Sequence, residues 1–197
     1  AHEDQKFGLS VASGAAAEAV RRIAKLPSLD LRGLHSHIGS QIFDAAGFAV
    51  AAARVVAFAQ SIWDEQGLEI AELNLGGGMG IAYTDDDDQL DVDDMAHQIA
   101  DIVGKECASA GIPMPSLAFE PGRAIVGPAG VTVYEVGTVK PVDVGHHLTR
   151  TYVSVDGGMS DNIRTALYDA QYSVTLASRA SEADPILCRI VGKHCES

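Results

Sequence analysis

Apolar positions recur at helical spacing in three segments of the chain. Residues 13–26 place Ala16, Val20, Ile23 and Ala24 on one face behind Ser13 as an N-cap, residues 47–66 align Val55, Phe58, Ala59 and Ile62, and residues 93–110 align Met95, Ile99, Ile102 and Val103. Gly67 and Gly111 follow the last two segments and predict left-handed helix stops. Between and after these segments stand short apolar runs, Leu29–Leu34, Ile70–Leu75 and Leu117–Phe119, each leading into a run of small or polar residues. Strands alternating with helices of this length predict a parallel sheet, and chemistry gathered just after strand C-termini predicts an α/β barrel in preference to a doubly wound sheet. Beyond residue 126 the helical period fades, and Val131–Val139, Tyr152–Val155, Tyr172–Leu176 and Arg189–Val191 read as strands of an all-β unit. Gly127-Pro128 marks the expected boundary between residues 1–126 and residues 127–197.

Composition narrows the class. Apolar residues make up 47% and charged residues 21% of 197, so a folded core is expected, enough for one ordinary domain or for one domain with part of a second. The balance of 14 basic against 27 acidic residues gives a net charge of -13, which repels phosphate backbones and anionic membrane surfaces. Neither nucleic acid nor a membrane is an expected partner. The apolar stretch Ala45–Ala59 is broken by Arg54 and is shorter than the roughly 18 to 20 residues of a bilayer span. The amino end carries no signal-peptide pattern, so a cytoplasmic location is expected. Cys107, Cys188 and Cys195 cannot pair completely and lack close spacing, which predicts reduced thiols and no structural zinc. The acidic run Asp85–Asp88, with Asp91, Asp93 and Asp94, lacks the glycine and terminal glutamate of a calcium loop and reads as a solvated loop before an acidic helix start.

The candidate chemistry sits at the strand ends. His35 and His37 share one side of a strand, which suits a cofactor contact, a metal ligand or a supporting histidine. Gly76-Gly77-Gly78 lets backbone N–H groups approach an anion such as a phosphate, or makes a tight turn; it matches neither the dinucleotide pattern nor the nucleoside-triphosphate loop. Glu120-Pro121-Gly122-Arg123 sets a carboxylate and a guanidinium on a rigid turn, fitted to a cationic ring nitrogen and an oxyanion, or to each other. Asp156-Gly157-Gly158-Met159-Ser160-Asp161-Asn162, followed by Arg164 and Tyr168, is a second loop open to backbone approach, and Cys195 is either an activated thiol or a small apolar filler.

Taken in order, His-Ser-His-Ile-Gly-Ser-Gln, Gly-Gly-Gly-Met-Gly-Ile, Glu-Pro-Gly-Arg, Asp-Gly-Gly-Met-Ser-Asp-Asn-x-Arg and His-Cys-Glu-Ser resemble the pyridoxal-phosphate-dependent decarboxylases of the alanine-racemase-like fold, in particular those acting on meso-diaminopimelate. Lys6-Phe7-Gly8 and Leu167-Tyr168 fit the same family. The resemblance implies the C-terminal part of a cofactor-binding barrel followed by the beginning of a β domain. It implies that His37 stacks on the pyridine ring, that Ser40 with Gly76, Gly77 and Gly78 binds the phosphate, and that Glu120 pairs with the protonated ring nitrogen. Gly122 and Arg123 would lie at the phosphate and substrate end, Arg164, Tyr168 and Glu196 would read the substrate, and Cys195 would be the proton donor, contributed across a homodimer interface.

One departure stands out. The family's cofactor-linking lysine lies on an early barrel strand, and none of Lys6, Lys25, Lys105, Lys140 or Lys193 has that setting. The chain is therefore expected to be an internal fragment of a longer decarboxylase that makes L-lysine from meso-diaminopimelate, and to be inactive alone. Related decarboxylases of ornithine, arginine or carboxynorspermidine, a non-catalytic cofactor-binding module and a metal-dependent barrel hydrolase built on His35 and His37 are the alternatives.

Overall fold

The computed structural model describes residues 7–184 and 186–195, which form two compact units. The first runs to Ala82 and resumes over Asp88–Ala129; the second joins Tyr83–Asp87 to the residues from Gly130 onward.

In the first unit, helix α1 (Ala15–Ile23), strand β1 (Gly33–His35), helix α2 (Ala46–Gln66), strand β2 (Glu72–Asn74), helix α3 (Val92–Ala110), strand β3 (Ser116–Ala118) and the short helix α4 (Gly122–Val126) follow one another. The strands form a parallel sheet in the order β1-β2-β3, with Leu34 opposite Leu73 and Leu73 opposite Leu117. This is the expected strand–helix alternation. Each strand is only three residues long, so the predicted run Leu29–Leu34 contributes Gly33 and Leu34 alone, and the pairing is centred further along, where the functional loops begin.

Both long helices cover the sheet, although their buried seams are shifted from the predicted faces. Helix α2 buries Phe48, Ala52, Val56, Ala59 and Ile62, with Val55 and Phe58 at the margin, and α3 buries Met95, Ile99, Val103 and Cys107, with Ile102 at the margin. They pack with Leu73 and Leu75 of the central strand region into one core. Gly67 and Gly111 close these helices in left-handed conformation as expected. Ser13 does not cap α1: Gly14 occupies the N-cap at φ 81°, a backbone region that disfavours serine, and the Ser13 hydroxyl accepts from the Ala15 N–H at 3.4 Å. Helix α2 is long and apolar enough to cross a membrane by length and composition; its buried stripe is instead committed to the core. Burial also raises the Cys107 thiol above its ordinary range, so it remains a neutral apolar filler.

The second unit is a three-stranded sheet in the order β4-β5-β6, with β4 (Val136–Asp143) antiparallel to β5 (Thr149–Val155) and β5 parallel to β6 (Cys188–Val191). Strand β4 begins five residues later than predicted; Val131 and Val133 are exposed and outside it. Tyr172–Leu176 forms no strand, because Tyr172 is taken into a side-chain cluster described below. A short helix α5 (Arg164–Tyr168) interrupts this β region.

The acidic loop is exposed, as expected, and Asp87 shapes it. Its carboxylate accepts from the N–H groups of Tyr83 (2.8 Å) and Thr84 (2.9 Å), which hold its pKa below the usual Asp value. A group depressed in the folded state contributes stability above its unfolded pKa and loses it as pH falls through the folded value. Proton titration of Asp87 by nuclear magnetic resonance should accordingly give a pKa below that of a free Asp, and Asp87→Asn should loosen the Tyr83–Asp87 turn at neutral pH but leave it indifferent to acid. A normal Asp titration would contradict this.

Candidate active site

Parallel pairing continues past the three strands and draws their loops together. The Ser36 N–H donates to the Asn74 carbonyl (2.9 Å), the Leu75 N–H to the Ala118 carbonyl (3.0 Å) and the Glu120 N–H to the Gly76 carbonyl (2.9 Å). His35–His37, Asn74–Gly78 and Glu120–Arg123 thus lie side by side at one end of the sheet.

The three glycines are required by this closeness. A Cβ on Gly76, which sits at φ 73°, would come within 2.6 Å of the Ser36 carbonyl oxygen and 2.9 Å of His37 Nδ1, and one on Gly77 would strike the Glu120 carbonyl. The Gly76 N–H donates within the turn, to Asn74 Oδ1 at 2.9 Å. Those of Gly77 and Gly78 have no acceptor among the described residues, and Gly77 is buried.

Asn74 also donates through Nδ2 to Glu120 Oε1 at 2.9 Å, while His35 Nε2 lies 3.4 Å from Glu120 Oε2. One carboxylate oxygen is therefore held by Asn74 and the other lies beside His35, yet about half of the side chain stays accessible to a ligand. His35, for which a cofactor contact, a metal ligand and a supporting role all stood open, is a neighbour of Glu120; Asn74 was not singled out in the sequence at all. Its position two residues before a triple glycine is the only local signal for its role. His37 and Ser40 are exposed on the loop after β1, and Gly122 opens α4, where Arg123 Nη1 donates to Gln41 Oε1 at 2.8 Å.

The second unit holds the other predicted residues. The Arg164 guanidinium lies over the Tyr83 ring, 4.9 Å from its centroid, and donates to Tyr172 Oη at 3.3 Å; the two tyrosines meet edge to face at 5.0 Å. Asp161 does not bind Arg164, because its carboxylate accepts from the Gly158 N–H at 2.8 Å. No carboxylate among the described residues lies within 4.0 Å of Arg164. Tyr168 is exposed on α5, one helical turn from Arg164. The Lys193 N–H donates to the Gly157 carbonyl (2.9 Å) and His194 Nε2 lies 2.9 Å from Ser160 Oγ, which brings exposed Cys195 beside the Gly157–Ser160 loop. Glu196 lies outside the described residues.

Two family models match: the pyridoxal binding domain of pyridoxal-dependent decarboxylases over residues 1–127, and the C-terminal sheet domain of the same enzymes over residues 78–197. The chain is 58% identical over 201 residues to the diaminopimelate decarboxylase of Mycobacterium tuberculosis (100% of this chain, 45% of that protein). It is 42% identical to that of Bacillus subtilis (99% and 44%). A crystal structure of diaminopimelate decarboxylase from M. jannaschii in complex with L-lysine superposes with a TM-score of 0.84 at 33% identity, over 99% of this chain and 43% of that one. The chain thus spans somewhat less than half the length of these relatives, and its two sheets are the latter part of their barrel and the beginning of their β domain.

The residues present fit the pyridoxal phosphate that such domains bind. Two N–H groups without acceptors among the described residues stand where no side chain can intrude, a setting for a phosphate, and an accessible carboxylate held by Asn74 stands nearby, a setting for a protonated ring nitrogen. With one family model matched over residues 1–127 and the other over residues 78–197, the chain belongs to the pyridoxal-dependent decarboxylases.

Proposed function

We propose that the full-length protein, a cytoplasmic homodimer, decarboxylates meso-diaminopimelate to L-lysine with pyridoxal phosphate. The observation that carries the substrate assignment is Arg164: a guanidinium braced against Tyr83 and Tyr172, with no carboxylate within 4.0 Å among the described residues. Diaminopimelate brings such a carboxylate at the end remote from the reacting carbon, and ornithine does not. The names of the relatives at 42% and 58% identity support the same substrate.

Bound pyridoxal phosphate supplies an electron sink for the bond to the departing carboxylate. Around it, the N–H groups of Gly77 and Gly78, with the Ser40 hydroxyl, bind the phosphate, and Gly76 shapes the turn that aims them. His37 covers the ring face. Glu120, held by Asn74 beside His35, keeps a proton on the ring nitrogen. Arg123 and Gly122 form the anion end, Arg164 takes the far carboxylate, and Glu196 with Tyr168 takes the far amine. Cys195 of the partner subunit delivers a proton to the carbon that has lost carbon dioxide. Free thiols at Cys107, Cys188 and Cys195 suit the reducing cytoplasm.

Residues 1–197 alone are expected not to link the cofactor covalently: among the described residues Lys25, Lys105, Lys140 and Lys193 are all exposed and none belongs to the strand-end loops, while Lys6 lies outside the described residues. Borohydride reduction with pyridoxal phosphate should label one lysine stoichiometrically in the full-length protein and none in this chain. Steady-state assays of the full-length protein should show strong preference for diaminopimelate over lysine and ornithine. Equal use of ornithine would move the assignment to the related decarboxylases.

A further inference from the structure

Gln41 is the last residue of the His-Ser-His-Ile-Gly-Ser-Gln run, and no role was assigned to it from the sequence. Three observations mark it. Its backbone stands at φ 58°, in the left-handed region that non-glycine residues adopt only at a cost. Its amide oxygen accepts from Arg123 Nη1 at 2.8 Å, across 82 residues of chain, while its amide nitrogen reaches the Ile81 carbonyl at 3.5 Å. The next residue locks the loop in place, since the Ile42 N–H donates to the Gly78 carbonyl (2.9 Å) and the Gly80 N–H to the Ile42 carbonyl (2.9 Å). One half-buried amide therefore ties together the loops after β1, β2 and β3, and one of its two contacts is the guanidinium at the anion end of the site.

We propose that Gln41 is a positioning residue that aims the Arg123 guanidinium at the carboxylate of the substrate, and so sets substrate affinity. This rests on the reading of Arg123 as an anion-binding residue. An arginine carries a long, freely rotating stem, and a planar fork recognises a carboxylate only when its plane is fixed. A neutral amide fixes it without neutralising it; a carboxylate at the same place would compete with the substrate for the charge. That explains a glutamine where the backbone conformation favours glycine or asparagine.

The backbone strain makes the test clean. Gln41→Gly relaxes the left-handed residue while deleting the amide, so a Gln41 that only braces the loops predicts a lower melting temperature with an unchanged KM. Positioning predicts an equal or higher melting temperature together with a KM for meso-diaminopimelate raised about tenfold, the scale of one hydrogen bond to a charged group, and a smaller change in kcat. Gln41→Glu should raise KM at least as much. Pyridoxal phosphate affinity, followed by fluorescence titration of the apo full-length protein, should change less than KM in both variants.

A double-mutant cycle with Arg123→Ala separates the two layers. If Arg123→Ala raises KM and Gln41→Gly adds nothing further in that background, the coupling is shown. If Arg123→Ala raises KM and Gln41→Gly does not, or the two effects simply add, Gln41 is not a positioning residue. If Arg123→Ala leaves KM unchanged, the anion-binding reading of Arg123 falls, and this proposal falls with it.

Discussion

Cys195→Ala in the full-length protein should bind pyridoxal phosphate as tightly as the parent and lose about 10²- to 10⁴-fold in product formation, the range typical of a missing general acid. The thiol is exposed, at the end of a segment tied to the Gly157–Ser160 loop by Lys193 and His194, so its removal disturbs no core packing. Absorbance of the bound cofactor should therefore survive. Because the proposal takes the thiol from the partner subunit, mixing Cys195→Ala with Glu120→Ala, each inactive, should restore roughly a quarter of the parent activity when subunits exchange at random, since one site in each mixed dimer is then intact. Activity of Cys195→Ala close to the parent would return the thiol to a filling role, and failed complementation would place it in its own subunit's site.

Arg164→Ala should lower kcat/KM for meso-diaminopimelate by roughly 30-fold to several thousand-fold, corresponding to about 2 to 5 kcal/mol for truncating one partner of a buried charge pair. Cofactor affinity should hardly move. Arg164→Lys should rescue little, because an ammonium cannot reproduce a planar guanidinium lying on the Tyr83 ring and donating to Tyr172 at the same time. In the parent protein, lysine and ornithine should be poor substrates, since each leaves that guanidinium without its anion. An Arg164→Ala variant that handles diaminopimelate like the parent would withdraw the substrate assignment.

The sequence revealed the places where chemistry accumulates better than the partners that hold it there. Gly76–Gly78 and Glu120–Arg123 were legible as strand-end loops because an apolar run ending in residues without side chains, or in a rigid Pro-Gly turn, marks where a strand stops, and these loops do lie side by side. Helices α2 and α3 were legible from their period and glycine stops. Asn74 was hidden: an asparagine at a strand end carries no sign that one amide will serve both Gly76 and Glu120, 46 residues away. Gln41 was hidden for the same reason, since its partner, Arg123, lies 82 residues on. Local alternation misled at Tyr172–Leu176, where the tyrosine is engaged by Arg164 and Tyr83 instead of a neighbouring strand. In each case the deciding contact is non-local, and periodicity reports only the neighbourhood of a residue.

The five residues Tyr83–Asp87 belong to the β-rich unit although the chain on both sides of them belongs to the other. They provide the ring under Arg164 and the carbonyl that receives the Ser173 N–H at 3.0 Å. The β-rich unit is thus discontinuous, completed by an excursion from the connection between β2 and α3. A polypeptide beginning at Gly130 would lack the ring that its Arg164 lies over and the carbonyl that its Ser173 N–H reaches. Exchange of C-terminal halves between related enzymes at the Gly127-Pro128 junction would pair each Arg164 with a foreign Tyr83 loop. Viable chimeras should carry the excursion along with the half that uses it.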